Sequence, residues 1–192
     1  MEASVETTYV HPSATVEEGA DVGEGTKIWA NVQIRRGARI GRECVFGRNS
    51  FVDVDVTVGD RVKVQNNASL YEGVTLETGV FIGPHVVFTN DLVPRAINPD
   101  GTLKNTDDWV LGRTIVRRGA ALGACTVVVT GVEIGEWAMV GSGAVVTRDV
   151  PAHALAVGNP ARVIGYVSAS GQRFDTAEAA AAATSVETEG TS

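Results

Sequence analysis

Few side chains in this sequence can move a proton or hold an anion. Histidine is the usual general base near neutral pH, and the chain has three: His11, His85 and His153. They stand 74 and 68 residues apart and lack the closely spaced pair that a zinc site uses, so no metal is expected. His11, in a His-Pro lead-in, and His153, near the C-terminal end, read as structural. His85, after Gly83-Pro84, remains as a candidate base. The two cysteines, Cys44 and Cys125, have neither metal-type spacing nor a disulfide pattern, and Cys125 has no activating neighbour in sequence for an acyl-cysteine route. Gln65, Asn66, Asn67 and Tyr71 form a polar group whose amides serve either as substrate contacts or as a stabilising ladder. The planar fork of Arg95 suits a carboxylate or a phosphate.

These residues sit in a strict repeat. From Val16, every sixth residue is Val, Ile, Leu or Phe through Phe88, thirteen in succession. At 44% hydrophobic residues, such a run arises by chance about once in 40,000 trials. The spacing resumes out of phase at Val116, Leu122, Val128, Ile134, Val140 and Val146. Small or β-branched residues such as Ala38, Cys44 and Ala144 stand four places on, and Gly often follows the large residue directly. A six-residue period is neither helical nor simple alternation. It describes short strands that turn a corner every six residues, with the large side chain inward and Gly easing the backbone at the corner. Nineteen repeats predict an all-β, triangular parallel β-helix of about six coils.

The chain divides accordingly. Residues 1–15 form a lead-in or cap, 16–150 the β-helix, 89–115 an insertion within it, and 151–174 a closing segment. Residues 175–192 are low-complexity, expected to be disordered or at most a short Ala-rich helix. A polar loop as long as 89–115 in so regular a fold is the place to look for function. The net charge of −7 lies mostly at the ends. Without the four acids of the tail and the two of the first eight residues, the body stands at −1, which gives no nucleic-acid surface. No apolar run reaches the ~18–20 residues of a membrane span, and the N-terminus lacks a secretory pattern, so a cytoplasmic enzyme is expected.

The repeats, the insertion opening Thr89-Asn90-Asp91 with Pro94-Arg95, and the closing run VGSGAVVTRDVPAHALAVGNPAR (140–162) resemble the left-handed β-helix, hexapeptide-repeat acyltransferases. The stretch 63–104 is similar to the N-acetyltransferases of nucleotide-linked 3-amino sugars, and most to those acting on UDP-linked 2-acetamido-3-amino-2,3-dideoxy-glucuronate. The resemblance implies left-handed coils, a homotrimer with sites between subunits, acetyl-CoA as cosubstrate, and a UDP- or dTDP-linked amino sugar used in surface glycan synthesis.

It also implies residue roles. Many relatives carry a histidine base a few residues into the insertion, where this chain has Asn90, Asp91 and Leu92. An amine needs less activation than a hydroxyl, so that difference favours N- over O-acetylation. Asn90 would orient the acceptor amine, and Asp91 would attract it or cap the turn. Asn66, Asn67, Tyr71 and Arg95 would bind the sugar nucleotide. Gly123, Ala124 and Ser142 would give pantetheine close approach, and Arg148 and Arg162 would meet CoA phosphates. O-acyl transfer and a non-catalytic solenoid scaffold are the competing readings.

Overall fold

The computed structural model describes residues 7–105 and 107–189. Among them, 23 short strands precede a single helix. Strand residues pair in parallel with those one coil on. Lys63 and Val64, for example, lie between Val45 and Phe46 on one side and Phe81 and Ile82 on the other. The chain visits three faces in turn, producing sheets of ten, seven and six strands. The expected fold class, an all-β parallel β-helix, is therefore the one observed. The first face has eight parallel strands, more than the six coils counted from the repeat. The additional two are Tyr9–Val10 and Ala154–Val157, which flank the stretch where six-residue spacing is legible.

The inward residues form continuous columns. Ile28, Phe46, Val64, Leu70, Leu76, Ile82, Phe88 and Leu122 are all buried. Each such side chain contributes ~1.5–3 kcal/mol of transfer free energy, set against the entropy of ordering its backbone.

The corners are built differently from the sequence expectation. The left-handed backbone lies three residues after the large inward residue, not one. Asn31, Asn49, Asp55, Asn67, His85 and Cys125 hold φ between 55° and 60° there, and Gly takes the same place in other coils. The glycines directly after the inward residue answer to stacking instead. A Cβ on Gly83 would lie 2.7 Å from the Leu122 carbonyl oxygen and 2.8 Å from the Ala124 nitrogen, so the next coil leaves no room for a side chain.

Leu76 pairs with Val116, 40 positions on, but with Val58, 18 positions back, so the insertion adds 22 residues at one corner between the second and third faces. Its loop is shorter than the expected 89–115, because Thr114–Val116 is already a strand of the third face. Arg117 staples the coils across this break. It donates to both Glu133 oxygens (2.9 and 2.8 Å) and to Glu77 (2.8 Å).

The closing segment turns back on the first face through the antiparallel strands Arg162–Val167 and Arg173–Phe174. His153 is buried there, its Nδ1 paired with the Val167 carbonyl at 3.0 Å. Of the two forms expected of the tail, the structure has the helical one: Ala177–Glu189 is the helix α1. Alanine has the highest helix propensity, and Thr176 caps the first turn through a bond from the Ala179 N–H to its Oγ1 (3.2 Å). Glu187 accepts from the hydroxyls of Ser168 (2.8 Å) and Ser170 (2.6 Å), which fastens the far end to the closing segment.

Candidate functional site

The insertion carries its own scaffold. It pairs Asp91 with Leu111 and Ile97 with Leu103, and its tip is a turn in which Thr102 donates to Asp100. Asp108 accepts from the Asn105 N–H (3.0 Å) and from Asn98 (3.1 Å), and these bonds hold its carboxyl below the ordinary value. At the root, the Gly112 N–H donates to the Asn90 carbonyl (2.9 Å), and the Val93 N–H to Asp91 Oδ1 (2.8 Å). Asp91 thus caps the turn. The Asn90 backbone is pinned, while its side-chain amide makes no hydrogen bond among the described residues.

Over this root lies an open cleft of about 570 Å³ lined by Tyr71, Asn90, Asp91, Arg95, Lys104 and Trp109. Four residues singled out from the sequence, Tyr71, Asn90, Asp91 and Arg95, are brought together there. Lys104 and Trp109 join them across the insertion hairpin, a contact that linear spacing does not reveal. Arg95 and Lys104 donate to the backbone carbonyls of Pro94 and Val93, and no ion pair engages either among the described residues, although the Lys104 charge acts on Asp108.

The remaining candidates occupy another edge of the prism. Asn66, Asn67, His85, Gly123, Ala124 and Ser142 lie at the corner between the first and second faces. There the His85 N–H donates to Asn66, the Cys125 N–H to Pro84 and the Gly143 N–H to Ala124. A Cβ on Gly123 would meet the Ser142 nitrogen at 2.5 Å, so this edge presents bare backbone, as close approach by an extended amide chain requires. Arg162 lies at its C-terminal end, next to Ala161, which bonds to Val145. Arg148 follows the strand Val145–Val146 and therefore belongs to the Asn90 edge, apart from Gly123, Ala124 and Ser142.

Asn67 forms part of a ladder. Asn31 donates to Asn49 (3.2 Å), Asn49 to Asn67 (3.0 Å), and Asn67 meets His85 Nε2 (3.3 Å). Asn66 faces outward into a separate groove with Tyr9, His11, Trp29, Arg48 and Lys63. The sequence reading did not single out Trp29 or Lys63. They stand beside the inward residues Ile28 and Val64 on the first face, and reading the outward positions at coil spacing would have found them. Among the described residues, no group of three or more His, Cys, Asp or Glu could hold a metal. No helix is long and apolar enough to cross a membrane.

Family models match this architecture. "Bacterial transferase hexapeptide (six repeats)" covers residues 19–53 and 55–90, and "hexapeptide repeat of succinyl-transferase" covers 37–72 and 114–148. The dTDP-3-amino-3,6-dideoxy-alpha-D-galactopyranose 3-N-acetyltransferase of Aneurinibacillus thermoaerophilus is 48% identical over 87% of this chain and 82% of its own length. Serine acetyltransferase 4 of Arabidopsis thaliana is 35% identical over 55% of this chain and 30% of its own. Among solved structures, a GDP-perosamine N-acetyltransferase variant from Caulobacter crescentus, in complex with CoA and GDP-perosamine, superposes with a TM-score of 0.56 at 26% identity. The match spans 84% of this chain and 58% of that one. With this fold, these repeats and these relatives, the chain belongs to the hexapeptide-repeat acyltransferases, as an enzyme with acetyl-CoA as its cosubstrate.

Proposed function

We propose that the chain is an acetyl-CoA-dependent N-acetyltransferase acting on the 3-amino group of a nucleotide-linked 3-amino sugar, with dTDP as the nucleotide. The observation that carries this reading is the 48% identity, across most of both chains, to the dTDP-3-amino sugar enzyme. The cleft supports it, because its root offers a positioned amide, Asn90, and within one protomer contains no histidine. Asn90 holds the neutral amine with its lone pair toward the thioester carbonyl. The amine nitrogen bonds to that carbon, backbone N–H groups steady the oxyanion, and the C–S bond breaks. The CoA sulfur leaves with the electron pair, and the proton shed by nitrogen completes the thiol. Arg95 and Lys104 stand at the rim of this cleft, beside the sugar.

A homotrimer is part of the proposal. Within one protomer the Asn90 edge and the Gly123–Ser142 edge flank the second face, so a site using both needs the Asn90 edge of one copy beside the Gly123 edge of the next. The insertion also exposes Leu92, Val93, Ile97, Leu103 and Val110, an apolar strip suited to a neighbouring copy. The proposed location is the cytoplasm, where acetyl-CoA, a charged molecule that does not cross bilayers unaided, is at hand.

The test is a mass-spectrometric screen of UDP-, dTDP- and GDP-linked 3-amino sugars with acetyl-CoA. Acetylation of the dTDP-linked 3-amine is expected. Acetylation confined to hydroxyl acceptors, or none with any amine, overturns the proposal.

A further inference from the structure

The outer surface of the first face changes character along its length. Toward the C-terminal coils the corner is bare, with Gly83, Gly123 and Gly141 in one column. Toward the N-terminal coils the same column carries His11, Trp29 and Gln65 around Gly47, and a groove of about 830 Å³ opens beside them. Tyr9 and Trp29 are 42% and 46% exposed although their rings pair at 5.5 Å, so one aromatic surface remains open to a flat partner. Lys63 and Arg48 border the groove. Both are exposed, and among the described residues no ion pair engages either and no carboxylate lines the groove, although the chain as a whole is acidic. Asn66 and Gln65 bring amide donors and acceptors to the same floor. A Cβ on Gly47 would lie 2.5 Å from Asn66 Oδ1, so the floor between Trp29 and Asn66 stays flat.

We propose that this groove, lined by Tyr9, His11, Trp29, Arg48, Lys63 and Asn66, binds the nucleoside diphosphate of the acceptor. This rests on the function proposed above and assigns the nucleotide end of that substrate. A pyrimidine base stacks on Trp29 with its hydrogen-bonding edge toward the amides, and the diphosphate lies against Lys63 and Arg48. Coils stack ~4.8 Å apart, so Trp29 and Gln65, two coils apart, span ~10 Å of groove. One coil beyond Gln65 is the level of Ile82–Asn90, where the Asn90 edge of another copy presents its amide to the sugar. The nucleotide then trails toward the N-terminal coils, while the bare corner of the C-terminal coils is left to acetyl-CoA.

The test titrates the full-length protein with dTDP alone, with UDP and pyrophosphate as parallel probes, for wild type, Trp29→Ala and Lys63→Ala. Trp29→Ala is expected to weaken dTDP about tenfold and to leave pyrophosphate unchanged. Lys63→Ala is expected to weaken both and to flatten the salt dependence. The KM for the sugar nucleotide should rise in step, and that for acetyl-CoA should hold. Unchanged dTDP binding in both variants overturns the inference. So does a wild-type protein that ignores dTDP while Trp29→Ala breaks up the oligomer, which would make the face a contact between copies. The two proposals fail separately. If wild type acetylates the amino sugar with no dependence on Trp29, the groove assignment falls alone. If no amine is acetylated yet dTDP binds through Trp29, the functional reading falls alone.

Discussion

Asn67 donates through Nδ2 to Nε2 of His85 across 3.3 Å, in line with the donations from Asn31 to Asn49 and from Asn49 to Asn67. Each amide in this row passes a hydrogen to the next, and the imidazole closes it as an acceptor. This places His85 with the corner ladder, on a different edge from Asn90.

The first prediction follows from that difference. His85→Asn extends the ladder by one amide in a backbone conformation that Asn tolerates, and it should keep most of the wild-type turnover. Asn90→Ala removes the amide proposed to orient the amine and should lower turnover about 100-fold at saturating substrates. Steady-state kinetics on the amino-sugar acceptor compare the two. An inactive His85→Asn beside a nearly normal Asn90→Ala would return the base to His85.

If the site is shared between copies, two defects on different edges should complement. Asn90→Ala alters one edge, and Ser142→Trp fills the other at an exposed position. Each variant alone should be nearly inactive. Assembled together in equal amounts, they should regain about a quarter of the wild-type sites, because one in four neighbouring pairs joins two intact edges. No recovery in mixed oligomers would place the whole site within one protomer.

Much of the fold was legible because the six-residue period reports an inward column directly, and Val16 to Phe88 never break it. The corners were less legible. The left-handed position is filled by types as unlike as Asn49, Arg61, Trp137 and Gly19, since what that position shares is a backbone angle rather than a side chain. The helix α1 was one of two readings of a composition that disorder shares, and its fastening through Glu187 to Ser168 and Ser170, which decides between them, is tertiary. At the site, Asn90 and Arg95 were readable from the motif that opens the insertion. Lys104 and Trp109 were not, because the hairpin pairing of Ile97 with Leu103 folds them back over the root. Arg148 and Arg162 look alike in sequence, yet the faces place them on separate edges.

The staple across the insertion gives a pH prediction. Hydrogen bonding from Arg117 holds the Glu133 carboxyl below its ordinary value, and the same pairing keeps Arg117 more firmly protonated. A lowered carboxylate stabilises the fold above its unfolded pKa and loses that contribution as pH falls through the folded value. The difference in Tm between wild type and Glu133→Gln should therefore stay constant from neutral pH to about pH 5 and shrink in more acid solution. The pair is largely exposed, so the difference should be small and reduced by salt. A difference that grows on acidification would contradict the pairing.

Gly83→Ala tests the stacking role of the corner glycines. Its Cβ would meet only backbone atoms of the next coil, which cannot swing aside. A loss of ~1–3 kcal/mol in denaturant unfolding is expected. A neutral result would show that the coils separate easily at that corner.

The most direct measurement of the central claim is thiol release from acetyl-CoA with two acceptors that differ at one position, a dTDP-linked 3-amino-3,6-dideoxyhexose and its 3-hydroxy counterpart. The predicted result is saturable thiol release with the amine, matched mole for mole by amide at the 3-position, and release with the hydroxyl acceptor no faster than without any acceptor. Equal or faster release with the hydroxyl, giving an ester, would contradict it.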